Sequence, residues 1–164
     1  MKGNIVRTAL CAAALILSVA TASFAQSEGF CSNNSIAGSW GTTMTGTQIL
    51  PSGAVAFASV NRSTYDNAGN LWGVQTRVSN GTVSRVTFRG TYTLNPDCTG
   101  TKTVRSYDSS ENLINTATLD IVFVGNSEEF FEVFTSVTLA NGMNIPVIIT
   151  GHSKKLFPKT GGAQ

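Results

Sequence analysis

Thr87-Phe88-Arg89-Gly90-Thr91-Tyr92-Thr93-Leu94-Asn95-Pro96-Asp97-Cys98-Thr99-Gly100-Thr101-Lys102-Thr103 is the stretch that decides the fold. Together with Val86, the residues Phe88, Gly90, Tyr92 and Leu94 fall on one face of an extended chain, and Arg85, Thr87, Arg89, Thr91 and Thr93 fall on the other. A period of two is that of a half-buried strand. Asn95-Pro96-Asp97 then forces a turn, because proline fixes φ and the two flanking side chains bond their own backbone. Extended propensity resumes at Thr99. Gly90 interrupts the large residues of the apolar face and is expected to mark a bulge or bend.

The same grammar recurs in both directions. Upstream, an extended segment from Gly38 to Leu50 ends at Pro51-Ser52-Gly53, and a second runs from about Ala54 to Tyr65. Asp66-Asn67-Ala68-Gly69-Asn70 turns into a third, Leu71 to Ser79, with Trp72, Val74, Thr76 and Val78 on one face and Gly73, Gln75 and Arg77 on the other. Asn80-Gly81, the strongest short hairpin signal in the chain, leads back into the strand quoted above. Downstream come Thr99 to Tyr107, polar on both faces, then Leu113 to Val124 and Glu129 to Leu139. Asn141-Gly142 introduces a last strand, Met143 to Ser153, which Pro146 interrupts. No segment carries sustained helical periodicity. Eight strands with short, hairpin-competent links predict an all-β fold, an antiparallel up-and-down eight-stranded barrel, because closure removes the exposed edges of an open sheet. The rival, a two-sheet sandwich, calls for longer crossing connections.

The chain has 164 residues. Lys2 and Arg7, an apolar run from Ala9 to Ala20 and small residues ending at Ala25 read as a signal peptide over 1–25. That apolar run is shorter than the roughly twenty residues needed to cross a bilayer, and no later segment comes near that length, so no membrane span is expected. The expected divisions are the signal peptide at 1–25, an N-terminal arm at 26–35, one barrel domain at 36–157 and a C-terminal tail at 158–164, with a secreted or periplasmic location. Losing Lys2 and Arg7 takes the formal charge from +2 to zero, which argues against nucleic acid as a partner. Cys31 and Cys98 then remain as an even pair in an oxidising compartment, and a disulfide is the natural inference over two free thiols or half a metal site. With one histidine, His152, and no Cys-x-x-Cys, neither a structural zinc site nor any other metal site is expected. No phosphate loop or Gly-x-Ser-x-Gly is present, no cofactor is implied, and nothing in the pattern specifies an oligomeric state.

Two resemblances extend this reading. Tyr-Asp-Asn-Ala-Gly-Asn-Leu-Trp-Gly at 65–73 and Gly-Thr-Tyr-Thr-Leu-Asn-Pro-Asp-Cys-Thr-Gly-Thr at 90–101 resemble small secreted bacterial β-proteins of undetermined function. Gly38-Ser39-Trp40 is similar to the Gly-x-Trp of lipocalin-like (calycin) barrels. That resemblance implies a tryptophan plugging the closed end, with Lys154 or Lys155 packed over it. The eight-strand plan is also similar to that of allene oxide cyclase-like barrels, which act on apolar substrates.

An eight-stranded barrel is either filled by its own side chains or holds one small ligand. The inward set is expected to be Trp40, Trp72, Val74, Val86, Phe88, Tyr92, Leu119, Ile121, Phe131 and Val133. Within it, Trp72, Val74, Val86, Phe88, Tyr92, Phe131 and Val133 are the expected wall for a small apolar ligand, and a packed core is the equal alternative. Glu129 shares parity with Phe131 and Val133, so it enters the interior if that face does. Arg77, Arg85 and Arg89 are expected together on an outer wall. His152 is more ordinary as a solvated strand-end residue than as a base. Three functions follow: carriage of a small apolar molecule, a cyclase or isomerase on a flexible apolar substrate, or an extracellular interaction protein with a filled core.

Overall fold

In the computed structural model, which describes residues 31–124 and 128–157, eight strands follow one another around a closed barrel. They are β1 (Gly38–Leu50), β2 (Gly53–Tyr65), β3 (Asn70–Ser79), β4 (Thr82–Leu94), β5 (Thr99–Tyr107), β6 (Leu113–Val124), β7 (Glu129–Leu139) and β8 (Val147–Lys155). Each pairs antiparallel with its sequence neighbour, and β1 closes the ring on β8, from Trp40 opposite Lys155 to Gln48 opposite Val147. The expected signal peptide, most of the arm and the tail lie outside the described residues. Among the described residues, no helix is long and apolar enough to cross a membrane.

The turn chemistry works as the sequence implies. Asp66 accepts from the Asn70 backbone and side chain at 2.8 Å, tying off the β2–β3 turn. Asp97 accepts from the Thr99 amide, and Asp108 from the Ser110 and Asn112 amides. These bonds hold all three carboxyls below the usual range. Asn80 and Gly81 both take positive φ, the requirement of a type I′ turn. Two details differ from expectation. Gly90 lies in an unbroken register, and the irregularities fall instead at Ser106/Tyr107 and Thr118/Leu119. Pro146 precedes β8 rather than interrupting it, and its carbonyl accepts from the Ile49 amide at 2.9 Å.

One end of the barrel is plugged. Trp40, fully buried, packs against Phe130, Phe123 and Tyr65 at ring separations of 4.9, 5.7 and 6.5 Å, and Lys155 Nζ lies 5.6 Å over its ring. The basic residue implied by the calycin resemblance is therefore Lys155. A single helical turn, α1 (Asn33–Ile36), caps this end. The Ile36 carbonyl accepts from Trp40 Nε1 at 2.7 Å, and Asn33 Oδ1 from the Leu94 amide at 3.0 Å. The Tyr92 hydroxyl sits 3.0 Å from the Asn33 carbonyl and 2.5 Å from that of Asp66, donating to one at a time. Burial, with the Asp66 carboxylate adding to it, pushes this phenol up to about 12. Cys31 and Cys98 are disulfide-bonded and join the plug cluster, so the bridge ties α1 to the β4–β5 turn.

Candidate functional site: the barrel interior

Facing in a barrel is inherited across the ladder, since residues directly opposite each other put their side chains on the same side. The two-residue turn at Asn80-Gly81 pairs Ser79 with Thr82, so Gly73 falls opposite Phe88, Gln75 opposite Val86 and Arg77 opposite Ser84. Val86, Phe88 and Tyr92 are buried as expected, and they carry Leu71, Gly73, Gln75 and Arg77 inward with them. Trp72 and Val74 are therefore on the outer wall, 47% and 57% exposed, which corrects their placement in the interior. The space Gly73 leaves is occupied by the Phe88 ring; a Cβ there would lie 2.5 Å from it.

The same correction applies to β7. Phe123, Ile121 and Leu119 of β6 point inward, and their partners are Phe130, Glu132 and Phe134. Phe131 and Val133 are consequently outside, 49% and 43% exposed. The shift between Leu119 opposite Phe134 and Thr118 opposite Ser136 leaves Thr135 as an extra residue. A bulge of this kind reverses the alternation, so Val137 is buried although Phe131 and Val133 are not. Glu129 also lies outside. It accepts from Lys154 at 2.9 Å and contacts His152 Nε2 at 3.0 Å, and these neighbours lower its carboxyl. His152 stacks on Phe131 at 4.8 Å, so the single histidine belongs to the outer wall. Arg85 and Arg89 are outside as expected, whereas Arg77 is not.

The interior has three storeys. Above the aromatic plug lies a buried polar group that the sequence reading did not assemble: Lys102 of β5, Glu132 of β7 and Tyr65 of β2. The Lys102 ammonium is in direct ion-pair contact with Glu132 Oε2 and donates to the Tyr65 hydroxyl at 3.1 Å. Burial pulls the ammonium down, but Glu132 and Tyr65 outweigh it and leave Lys102 raised. Burial likewise raises Tyr65, with Lys102 pulling the other way. Glu132 has room because its cross-strand neighbour is Gly151, where a Cβ would come within 2.6 Å of Oε1. The polarity of β5 was the legible signal for this group: Gly100, Lys102, Val104 and Ser106 make its inward face, with Val104 its one apolar side chain.

Over this floor lies a cavity of about 50 Å³ that reaches toward the unplugged end. Met44, Phe57, Phe88, Leu119, Val137 and Ile149 supply its apolar wall, and Asn61, Gln75, Ser106, Asn115, Gln48 and Arg77 its polar one. Gln75 donates to Ser59 Oγ at 3.0 Å and Ser79 to Gln48 Oε1 at 2.7 Å, while buried Asn61 Oδ1 has no partner among the described residues. Arg77, half-buried, donates from Nε to Ser84 Oγ at 3.0 Å, and burial lowers its pKa. Among the described residues, no group of His, Cys, Asp and Glu has the makings of a metal site.

No family model matches this chain, and no curated protein does. Among solved structures it is similar to a redesigned β-barrel, mFAP1, bound to DFHBI, at 17% identity and a TM-score of 0.49, over 75% of this chain and 97% of that one. It is also similar to the S-type phycobiliprotein lyase CPES from Guillardia theta, at 11% identity and a TM-score of 0.45, over 83% of this chain and 99% of that one.

Proposed function

We propose that this chain is an exported binding module that takes up a small, mainly apolar molecule through the unplugged end of its barrel. The observation that carries the reading is the cavity above the Lys102–Glu132 floor, walled by Met44, Phe57, Phe88, Leu119, Val137 and Ile149. The Cys31–Cys98 bond suits an oxidising compartment and supports export. Lys102 and Glu132 are closed on each other, which favours a floor over a reagent and places carriage ahead of cyclase or isomerase chemistry. A cavity of about 150 Å³ accommodates benzene in another protein, so a 50 Å³ space selects ligands of a few heavy atoms unless rim side chains swing aside.

The test is a titration with compounds of benzene size and below, followed through the methyl resonances of Met44, Leu119, Val137 and Ile149. Selective shifts at these methyls are expected. Ala117, buried on the inner face of β6 and lining the cavity, offers the control. Ala117→Leu should fill the space and abolish the shifts at a cost of about 1–3 kcal/mol in stability. If no compound moves the interior methyls, the binding reading fails. The interaction-protein reading would then stand on a different observation, the exposed apolar residues Val60, Trp72 and Val74 of the outer wall.

A further inference from the structure

The inward face of the barrel carries three charges. Lys102 and Glu132 neutralise each other, and Glu132 is the one carboxylate among the inward-facing residues of the described strands. The third is Arg77, near the unplugged end. No carboxylate lies within ion-pair distance of it among the described residues; its contact is the neutral Ser84 hydroxyl through Nε, which leaves both terminal nitrogens of the guanidinium uncommitted. The interior is therefore one positive charge in excess, at the rim of an apolar cavity. A half-buried cation without a counter-ion is costly, and a guanidinium fork matches a carboxylate in two parallel hydrogen bonds.

Resting on the binding reading above, we propose that the molecule this barrel accepts is a short-chain carboxylate, its hydrocarbon end against Met44, Leu119 and Ile149 and its carboxylate on Arg77. The order of the lining residues along the barrel sets that orientation. Leu119, Phe88, Met44 and Ile149 make the apolar side of the deep part, which Asn61, Gln75 and Ser106 share, and Arg77, Gln48 and Asn115 stand toward the mouth. Reversing the ligand would put its anion beside Glu132 and its chain among amides. The volume limits the hydrocarbon part to a few carbons.

Butyrate and butyramide differ little in size and differ in charge at neutral pH, so they separate this proposal from binding in general. Titrated into the whole protein and followed at the same methyls, butyrate should bind at least ~10-fold more tightly than butyramide, the minimum expected of a hydrogen bond to a charged group. Arg77→Gln should bring butyrate down to the level that butyramide shows in the same variant, and Arg77→Lys should keep part of the preference. Equal affinities in the native protein, or a preference that survives Arg77→Gln, would overturn the carboxylate assignment while leaving the cavity as a binding site. If neither compound moves the methyls, both this proposal and the binding reading fall.

Discussion

Lys102, Glu132 and Gly151 form a unit in which each residue makes sense only with the others. Lys102 and Glu132 are 5% and 4% exposed, so removing one partner strands the other's charge away from water. Glu132→Gln and Lys102→Met are each expected to cost about 3–5 kcal/mol in urea unfolding, whereas the double variant Lys102→Met/Glu132→Leu should cost less than either alone. Gly151→Ala, which brings a methyl to 2.6 Å from the Glu132 carboxylate, should cost about 1–3 kcal/mol. The pair also has a pH signature. Lys102 is raised in the folded state, so its contribution is complete below the unfolded lysine value of about 10.4 and is lost as pH climbs through the folded value. Tyr65 is raised too and acts in the same direction. The native protein should therefore lose stability steeply in alkali, and Lys102→Met should flatten that decline in unfolding measured between neutral and alkaline pH.

β3 and β7 are the elements whose outer faces are more apolar than parts of their inner ones. On β3 the larger residues Trp72, Val74 and Val78 are outside and Gly73, Gln75 and Arg77 inside. Hydrophobic alternation taken strand by strand points these two the wrong way. The corrective signal was nonetheless in the sequence: a two-residue Asn80-Gly81 turn sets the pairing, and Phe88, on a strand whose facing is unambiguous, then fixes Gly73 as its inward partner. For β7 the same logic needs the bulge at Thr135, which no local pattern announces. Two measurements follow. Phe88→Ala, a truncation of a buried ring packed over Gly73, should cost about 3–5 kcal/mol, and Trp72→Ala no more than about 1 kcal/mol. Iodide should quench the Trp72 share of the emission and spare Trp40, so Trp72→Phe should leave a blue-shifted, iodide-resistant spectrum.

At the scale of the whole molecule, closure and the disulfide do complementary work. Closure gives every strand two partners, and the bridge fastens α1 and the plug across a separation of 67 residues. Removing it by Cys31→Ala/Cys98→Ala should lower the unfolding free energy by about 4 kcal/mol in the chain-entropy account while leaving the barrel formed. Mass mapping without reduction should find the Cys31 and Cys98 peptides joined, and free thiols at both positions would contradict the fold described.

Strand positions, turns, all-β class and the cysteine pair depend on residues close together in the chain or on simple arithmetic, and the sequence by itself determined them. Thr99–Tyr107, Leu113–Val124 and Glu129–Leu139 begin and end where alternation and turn residues place them. What lies inside the barrel was decided by tertiary structure. A side chain's facing depends on its cross-strand partner and on bulges, and one slip in either exchanges the faces of a whole segment. The Lys102–Glu132–Tyr65 floor and the unpaired Arg77 above it exist only because β2, β3, β5 and β7 surround one small volume from which water is largely excluded. In the separated strands the same side chains are solvated polar groups like any others, and neither the ion pair nor the excess charge has any meaning until the barrel closes.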